Sequence, residues 1–349
     1  MARTAKMQLS YNQWPEEDRD RWGAANRSGA DPFDDCGPAA HLAEPTRQNL
    51  KGCYARFLGY LSLKKSSLLA CAPETRLNRE IVADYVAFRA PSCSESGIAI
   101  ELQHLRQALR YICPDVDCTW LHIIAKRIAA KAPPKQQKYH LVTSEILYAL
   151  GIELMDRAVV NAAGNGNVPK SDAFDYRDGL LIALVASVPL RRRTIAALRI
   201  GKHLLKSGEL WELDIPARDM KNYRPADYPI SPNLSARINV YLGQFRGRIP
   251  RSNEHDGLWA SDKGRPMDDG TIYDTVRRRT LVAFGFAVNL HRFRSAAGTF
   301  WSIHDPVNVR GVKDLLGHGS FDKTTAAHYI MSQSRIAGRA LARVIGSCK

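Results

Sequence analysis

Residues 131–138 read Lys-Ala-Pro-Pro-Lys-Gln-Gln-Lys. Two adjacent prolines remove two backbone donors and push the preceding residue out of the helical region, and the lysines and glutamines around them carry no apolar period that could pack. The stretch reads as an exposed linker over 132–142, so the chain on each side must bury its own core. A length of 349 residues supplies enough apolar material for two.

Ahead of the linker, Leu50, Tyr54, Phe57, Leu58 and Leu61 recur at helical spacing with Arg47, Lys51 and Arg56 off the stripe. Similar stripes lie near 78–90, 97–112 and 117–131, which predicts a small basic four-helix unit over 44–131. Residues 1–43 hold Trp14 and Trp22 among Asp, Gly and Pro without a sustained period and read as an irregular arm. Beyond the linker a helix is expected near 143–160, then a plain Gly/Asn turn at 164–167. Ser171 can cap a helix running to Ser187, which Pro189 interrupts. Short strand-like runs, Leu210 to Ile215 and Tyr228 to Ile230, flank a polar turn containing Lys221. Helices are then expected near 233–246, 270–284, 291–303, 307–316, 322–328 and 332–346. The fold class is mainly α with a small β-sheet: a helical domain followed by a mixed α/β domain over 143–349.

Fifty Lys and Arg against 35 Asp and Glu give a net charge of +15, which points to a polyanionic partner. The excess is −2 over residues 1–43, +7 over 44–142 and +10 over 143–349, so both domains carry it and no detachable basic tail does. The longest nearly apolar run, Gly179 to Leu190, is too short to span a bilayer, and the N-terminus has no apolar export segment before its acidic cluster. The chain is expected in the cytoplasm. Seven dispersed cysteines suit reduced thiols, and Cys113, Cys118 and His122 read as a turn and a helix start in preference to a zinc site.

The second domain presents, in order, Arg191 in Val188-Pro-Leu-Arg-Arg-Arg-Thr-Ile, Lys221 in Met-Lys-Asn, His291 and Arg294 in Leu290-His-Arg-Phe-Arg, His318 in Leu315-Leu-Gly-His, and Tyr329 in Thr324-Thr-Ala-Ala-His-Tyr. Six pieces in this order resemble the tyrosine recombinases, the family of phage integrases and their relatives. The resemblance covers the second domain, and the helical first domain is similar to that family's core-binding domain. It implies a site-specific recombinase that clamps double-stranded DNA, assembles as a tetramer in synapsis, and cuts and rejoins strands through a 3′-phosphotyrosyl intermediate with no metal, ATP or other cofactor. In that scheme Tyr329 is the nucleophile, Arg191 and Arg294 hold the phosphate, Lys221 protonates the leaving oxygen, and His291 and His318 donate to the phosphate or move the tyrosine proton. A type IB topoisomerase-like enzyme and a DNA-binding accessory protein without catalysis are the rival readings.

The residue types suit that chemistry by themselves. Phosphoryl transfer needs a nucleophile, cations on the non-bridging oxygens and an acid for the leaving group. Arginine's planar fork binds two phosphate oxygens and stays charged, and a lysine among arginines is pushed toward acidity. Within the run of three arginines, the spacing that the resemblance implies, with apolar positions four and seven residues on at Ile195 and Leu198, favours Arg191, with Arg192 and Arg193 as alternatives; Arg218 and Arg224 compete with Lys221. Two departures from the family pattern stand out: Pro189 replaces a glycine, and Thr194 an acidic residue. The interval from His318 to Tyr329 is also about two residues longer than usual. The last expected helix carries an apolar stripe, Ile336, Ala340, Leu341, Val344 and Ile345, suited to packing in cis or docking on a neighbouring protomer.

Overall fold

The computed structural model describes residues 7–29, 31, 33–132, 142–165, 167–220 and 225–304. The chain divides into two compact units, Met1–Lys138 and Tyr139–Lys349. The expected linker lies almost wholly outside the described residues. So do Lys221, Arg224, His318, Tyr329 and the helices expected from 307 onward.

Unit 1 is helical: α1 (Glu16–Ala25), α2 (Glu44–Lys64), α3 (Arg79–Arg89), α4 (Glu95–Ile112) and α5 (Thr119–Lys131). The stripes read from the sequence face inward. Leu50, Leu58, Leu61, Leu102, Leu105 and Leu121 are fully buried around Tyr54, Phe57 and Tyr85. Asn78 caps α3 and Ser94 caps α4, each accepting from a backbone N–H of the first turn.

The segment 1–43 departs from its expected irregularity. It holds α1, and Trp14 and Trp22 enter the core of the unit, Trp14 packing edge-on against Tyr54 at 5.2 Å. The cause is a buried ion pair that no hydrophobic period reveals. Asp18 of α1 accepts from Nη1 of Arg76 at 2.7 and 2.8 Å and from the Tyr54 hydroxyl at 2.5 Å, and both charged side chains are almost wholly enclosed. Arg76 donates its other N–H groups to the carbonyls of Leu68, Leu69 and Cys71, so the enclosed guanidinium is fully committed. Cys113 and Cys118 are buried thiols, His122 bonds with Gln103, and among the described residues no group of three metal-ligating side chains could hold an ion.

Unit 2 is built on α6 (Ser144–Asn165) and α7 (Lys170–Ser187). Their close approach is made by two glycines: a Cβ on Gly179 would lie 2.6 Å from the carbonyl oxygen of Gly151, and one on Gly151 equally close to the backbone of Ala183. α7 is buried on nearly every side. It starts one residue ahead of Ser171, whose place as cap is taken by Pro169, and it stops at Ser187 because Val188, preceding a proline, adopts an extended conformation. After α8 (Arg192–Ala196) comes an antiparallel sheet in the order β1-β2-β3: β1 (Leu204–Ser207), β2 (Leu210–Ile215) and β3 (Ala226–Pro229). β1 was not legible in the sequence. α9 (Pro232–Val240), capped by Ser231, runs on into a π-turn through Phe245. α10 (Asp269–Phe284) is capped by Asp268 and closed by Gly285 in the left-handed region at φ 75°. α11 (Leu290–His304) follows.

Charged residues tie these elements together. Asp178 of α7 is fully enclosed. It accepts from Nε and Nη2 of Arg177 at 2.9 and 2.6 Å and from Nε of Arg279 on α10 at 2.7 Å, while Arg177 donates to the Ala260 carbonyl at 2.6 Å. Among the described residues no helix is long and apolar enough to cross a membrane.

Candidate phosphate-binding site

Arg191 stands at the N-cap of α8, immediately after the chain leaves α7. Ile195 and Leu198, buried to within 1% of full enclosure, anchor the short helix to the core, and the Trp259 indole N–H donates to the Ile195 carbonyl at 3.0 Å. This anchoring separates the three consecutive arginines. Arg192 turns to α10, pairing with Asp269 at 2.9 Å and lying over the Tyr273 ring, and Arg193 is exposed on the same side, 4.0 Å from Asp269. The charge of Arg191 acts on Arg294.

Arg294 is brought there by α11. The Thr280 hydroxyl accepts from the Val288 N–H at 2.9 Å and so fixes the connection out of α10. Asn289 accepts from the Arg292 N–H and starts the new helix. Leu290, Phe293 and Ala297 bury one stripe of α11. That leaves His291 exposed in the first turn, with Arg294 half-buried one turn later. Nη1 of Arg294 donates to the Pro189 carbonyl. Burial, and then the like charge of Arg191, depress the Arg294 guanidinium to about 10, against a small opposing effect of the Tyr228 phenol. A half-buried guanidinium near a second cation is a place where an anion is favoured. Thr194 is buried.

The sequence reading missed two supporting residues. His203, nearly fully buried, accepts at Nδ1 from the Arg199 N–H at 3.2 Å, so its proton sits on Nε2 and points to Asp219 at 3.0 Å. His203 and Lys202 hold the Asp219 carboxyl below the usual range, which anchors the chain up to Met220, one residue before Lys221. Arg218 is exposed in the intervening turn. Tyr228 of β3 is the second; burial raises its phenol, and the charges of Arg294 and Arg191 pull it back. Neither a motif nor an apolar period marks these residues; only the hairpin and its packing bring them forward.

Of the six residues singled out in the sequence, the structure brings together Arg191 and Arg294, and places His291 one helical turn from Arg294; the other three lie outside the described residues. No family model matches the chain, and no curated protein matches it in sequence. Solved structures do. The XerH site-specific recombinase, in a post-cleavage complex with its palindromic difH substrate, aligns with a TM-score of 0.59 at 15% identity, covering 92% of both chains. XerA recombinase aligns with a TM-score of 0.42 at 15% identity over 87% of this chain and 94% of its own. With its helical first unit, its three-stranded antiparallel sheet and its mostly helical second unit, the chain has the fold of the tyrosine site-specific recombinases.

Proposed function

We propose that this protein is a site-specific DNA recombinase that cuts and rejoins duplex DNA through a tyrosine. The observation that carries the reading is the approach of Arg294 to the backbone just ahead of Arg191, where its Nη1 donates to the Pro189 carbonyl and the charge of Arg191 acts on it, on a fold shared with XerH. A net charge of +15, carried by both units, suits a DNA backbone, and the XerH structure contains its DNA substrate.

In this mechanism the scissile phosphodiester sits between the two guanidiniums, which stabilise charge as it builds on the non-bridging oxygens. The Tyr329 oxygen attacks phosphorus and gives its proton to a histidine, His318 or His291. The bond to the 5′-oxygen breaks, and that oxygen takes a proton from Lys221. A 3′-phosphotyrosyl ester keeps the energy of the broken bond, so attack by a 5′-hydroxyl reseals the strand with neither nucleotide nor metal. Recombination of two sites further requires self-association on DNA, for which the apolar stripe from Ile336 to Ile345 is the candidate contact.

The test is covalent trapping on nicked suicide duplexes drawn from the DNA flanking the gene. Wild type is expected to form a protein–DNA adduct stable to denaturant, and Tyr329→Phe, which removes one oxygen and no charge, to form none while binding within a few fold. DNA binding with no adduct from wild type on any substrate would assign the chain to an accessory role. An adduct with relaxation of supercoils and no pairing of sites would assign it to topoisomerase chemistry.

A further inference from the structure

Lys221 falls in sequence between β2 and β3, whose facing ends are fixed by register, Ile215 pairing with Ala226. The backbone leading up to it is held by side chains that no motif marks. A short 3-10 turn over Ala217–Asp219 closes with the Asp219 N–H donating to the Pro216 carbonyl at 2.9 Å and the Met220 N–H to that of Ala217 at 3.1 Å. Met220 is buried in the core of the unit. The Asp219 carboxylate is clamped at one oxygen: Oδ2 lies 3.0 Å from Nε2 of His203 and accepts from Nζ of Lys202 at 3.1 Å.

Of the two donors the histidine is the fixed one. Lys202 is 42% exposed, so water screens its pairing, whereas His203 is 3% exposed. The ring is held at its other edge, where Nδ1 accepts from the Arg199 N–H at 3.2 Å, and the His203 carbonyl accepts from the Asp214 N–H at 2.9 Å. Nε2 therefore carries the proton and donates to the carboxylate in a charge-assisted bond. Hydrogen bonds from His203 and then Lys202 hold the Asp219 carboxyl below its ordinary value, so it is ionised at neutral pH.

The turn that carries His203 is the continuation of α8, the helix that has Arg191 at its N-cap. It is pinned where the Leu198 carbonyl accepts from the Leu258 N–H at 2.9 Å and the Ile200 N–H donates to the Asp256 carbonyl at 2.8 Å. The chain coming from Arg191 and the chain going to Lys221 thus meet at one hydrogen bond, His203 to Asp219. A general acid works only within hydrogen-bond reach of the atom it protonates, and a lysine stem is flexible, so the backbone it springs from has to be fixed.

We infer that His203 and Asp219 are positioning residues for leaving-group protonation, the bond between them fixing the backbone that leads into Lys221 relative to α8 and Arg191. The inference rests on the reading of Lys221 as the general acid of a DNA strand transferase. Charge adds a second consequence. A carboxylate committed to His203 and Lys202 is not free to pair with Lys221, and such a pair would make the lysine a weaker acid.

Single-turnover adduct formation by the full chain is measured on one suicide duplex in two forms, with oxygen or with sulfur at the 5′-bridging position. A thiolate leaves without a proton, so only defects in leaving-group protonation vanish on the sulfur form. His203→Phe and Asp219→Ala are expected to be about ten- to a hundredfold slow on oxygen, the scale of a misplaced catalytic group, and within a few fold of wild type on sulfur. His203→Gln, whose amide can donate in place of Nε2, is expected to recover most of the rate on oxygen. Asp219 is only half-buried, so its substitution decides the matter even where His203→Phe folds poorly. An equal loss on both substrates would show that the pair supports the fold alone, and an unchanged rate on oxygen would show that the reaction does not depend on it. Either result overturns the inference, while rescue of Lys221→Ala by sulfur in the same assay leaves the general-acid reading intact. If Lys221→Ala is not rescued, or wild type forms no adduct, that reading falls and this inference with it.

Discussion

Arg294 donates from Nη1 to the carbonyl of Pro189, two residues ahead of Arg191. The bond joins α11 to the break that ends α7, so the two arginines are positioned by one piece of backbone. Pro189 takes part in the arrangement: it ends the helix and offers a carbonyl free of any helical partner.

Replacing either arginine is therefore expected to damage chemistry far more than binding. Arg191→Ala and Arg294→Ala should each slow covalent adduct formation by roughly two to three orders of magnitude, the scale of a lost transition-state donor. Affinity for duplex DNA should change by a few fold, since many other basic groups hold the backbone. Arg192→Ala is the control. Its guanidinium is occupied by Asp269 and Tyr273, so its cleavage rate should stay within a few fold of wild type. Single-turnover trapping on one suicide duplex compares all three, and a defect in Arg192→Ala as deep as in Arg191→Ala would move the phosphate clamp one residue along.

Lys221 as general acid makes a prediction independent of its surroundings. A substrate with sulfur in place of the 5′-bridging oxygen expels a thiolate, which leaves without a proton. Lys221→Ala should cleave normal DNA slowly and the sulfur-bridged substrate at nearly the wild-type rate. Absence of rescue would transfer the role to Arg218, Arg224 or a histidine.

How far the sequence reveals this molecule depends on which force places each element. Some elements were readable nearly to the residue: the strand Leu210–Ile215 coincides with the expectation, and α10 and α11 differ from it by one residue at each end except for a shared stop at Phe284, whereas α6 runs on to Asn165, past its expected end near 160. The burial of Ile195 and Leu198, the two apolar positions expected after Arg191, agrees with the sequence. α1 was not readable, since its place depends on the enclosed pair of Asp18 and Arg76, and two charges 58 positions apart announce no contact. β1 escaped notice because only Leu204 of its four residues is buried.

Glu101 supplies a pH-dependent test of unit 1. Burial raises its carboxyl, but hydrogen bonds from Arg56 and Tyr85 and the charges of Arg56 and Arg89 prevail, and the net shift is below the ordinary value of 4.5. A carboxyl lowered in the folded state adds stability that is complete above its unfolded value and is lost as pH falls through the folded one. Glu101→Gln should thus be less stable than wild type at pH 7 by about 1–3 kcal/mol, the loss of a charge-assisted bond at a buried site. The two stability curves should converge below about pH 4.5. Urea denaturation between pH 3 and 7 measures this, and a deficit that stays constant with pH would show that the substitution acts through packing alone.

The glycine contact between α6 and α7 gives a prediction in which two effects oppose in sign. Helix propensity favours Gly179→Ala by about 1 kcal/mol, because alanine loses less backbone freedom in a helix interior. Packing opposes it. The new Cβ would lie 2.6 Å from the Gly151 carbonyl oxygen, 2.9 Å from Cβ of Leu154 and 3.0 Å from Cγ of Met155. The first of these is backbone within a helix and cannot swing aside, so α6 must move away from α7 along its length. Overpacking of this kind costs typically about 1–3 kcal/mol before propensity is counted. The net expectation is a destabilised second unit, and a further consequence follows from position, since α7 leads directly into Pro189 and Arg191. A shift of α7 should weaken phosphate binding at the arginine pair in proportion to the lost stability, even though Gly179 touches no part of that site. Gly243, which has open space where a Cβ would stand, is the comparison: Gly243→Ala should leave stability unchanged or raise it. Thermal denaturation of both variants of the full chain decides the matter, and a Gly179→Ala protein more stable than wild type would mean that the two helices separate freely and that their close approach does not hold the site in place.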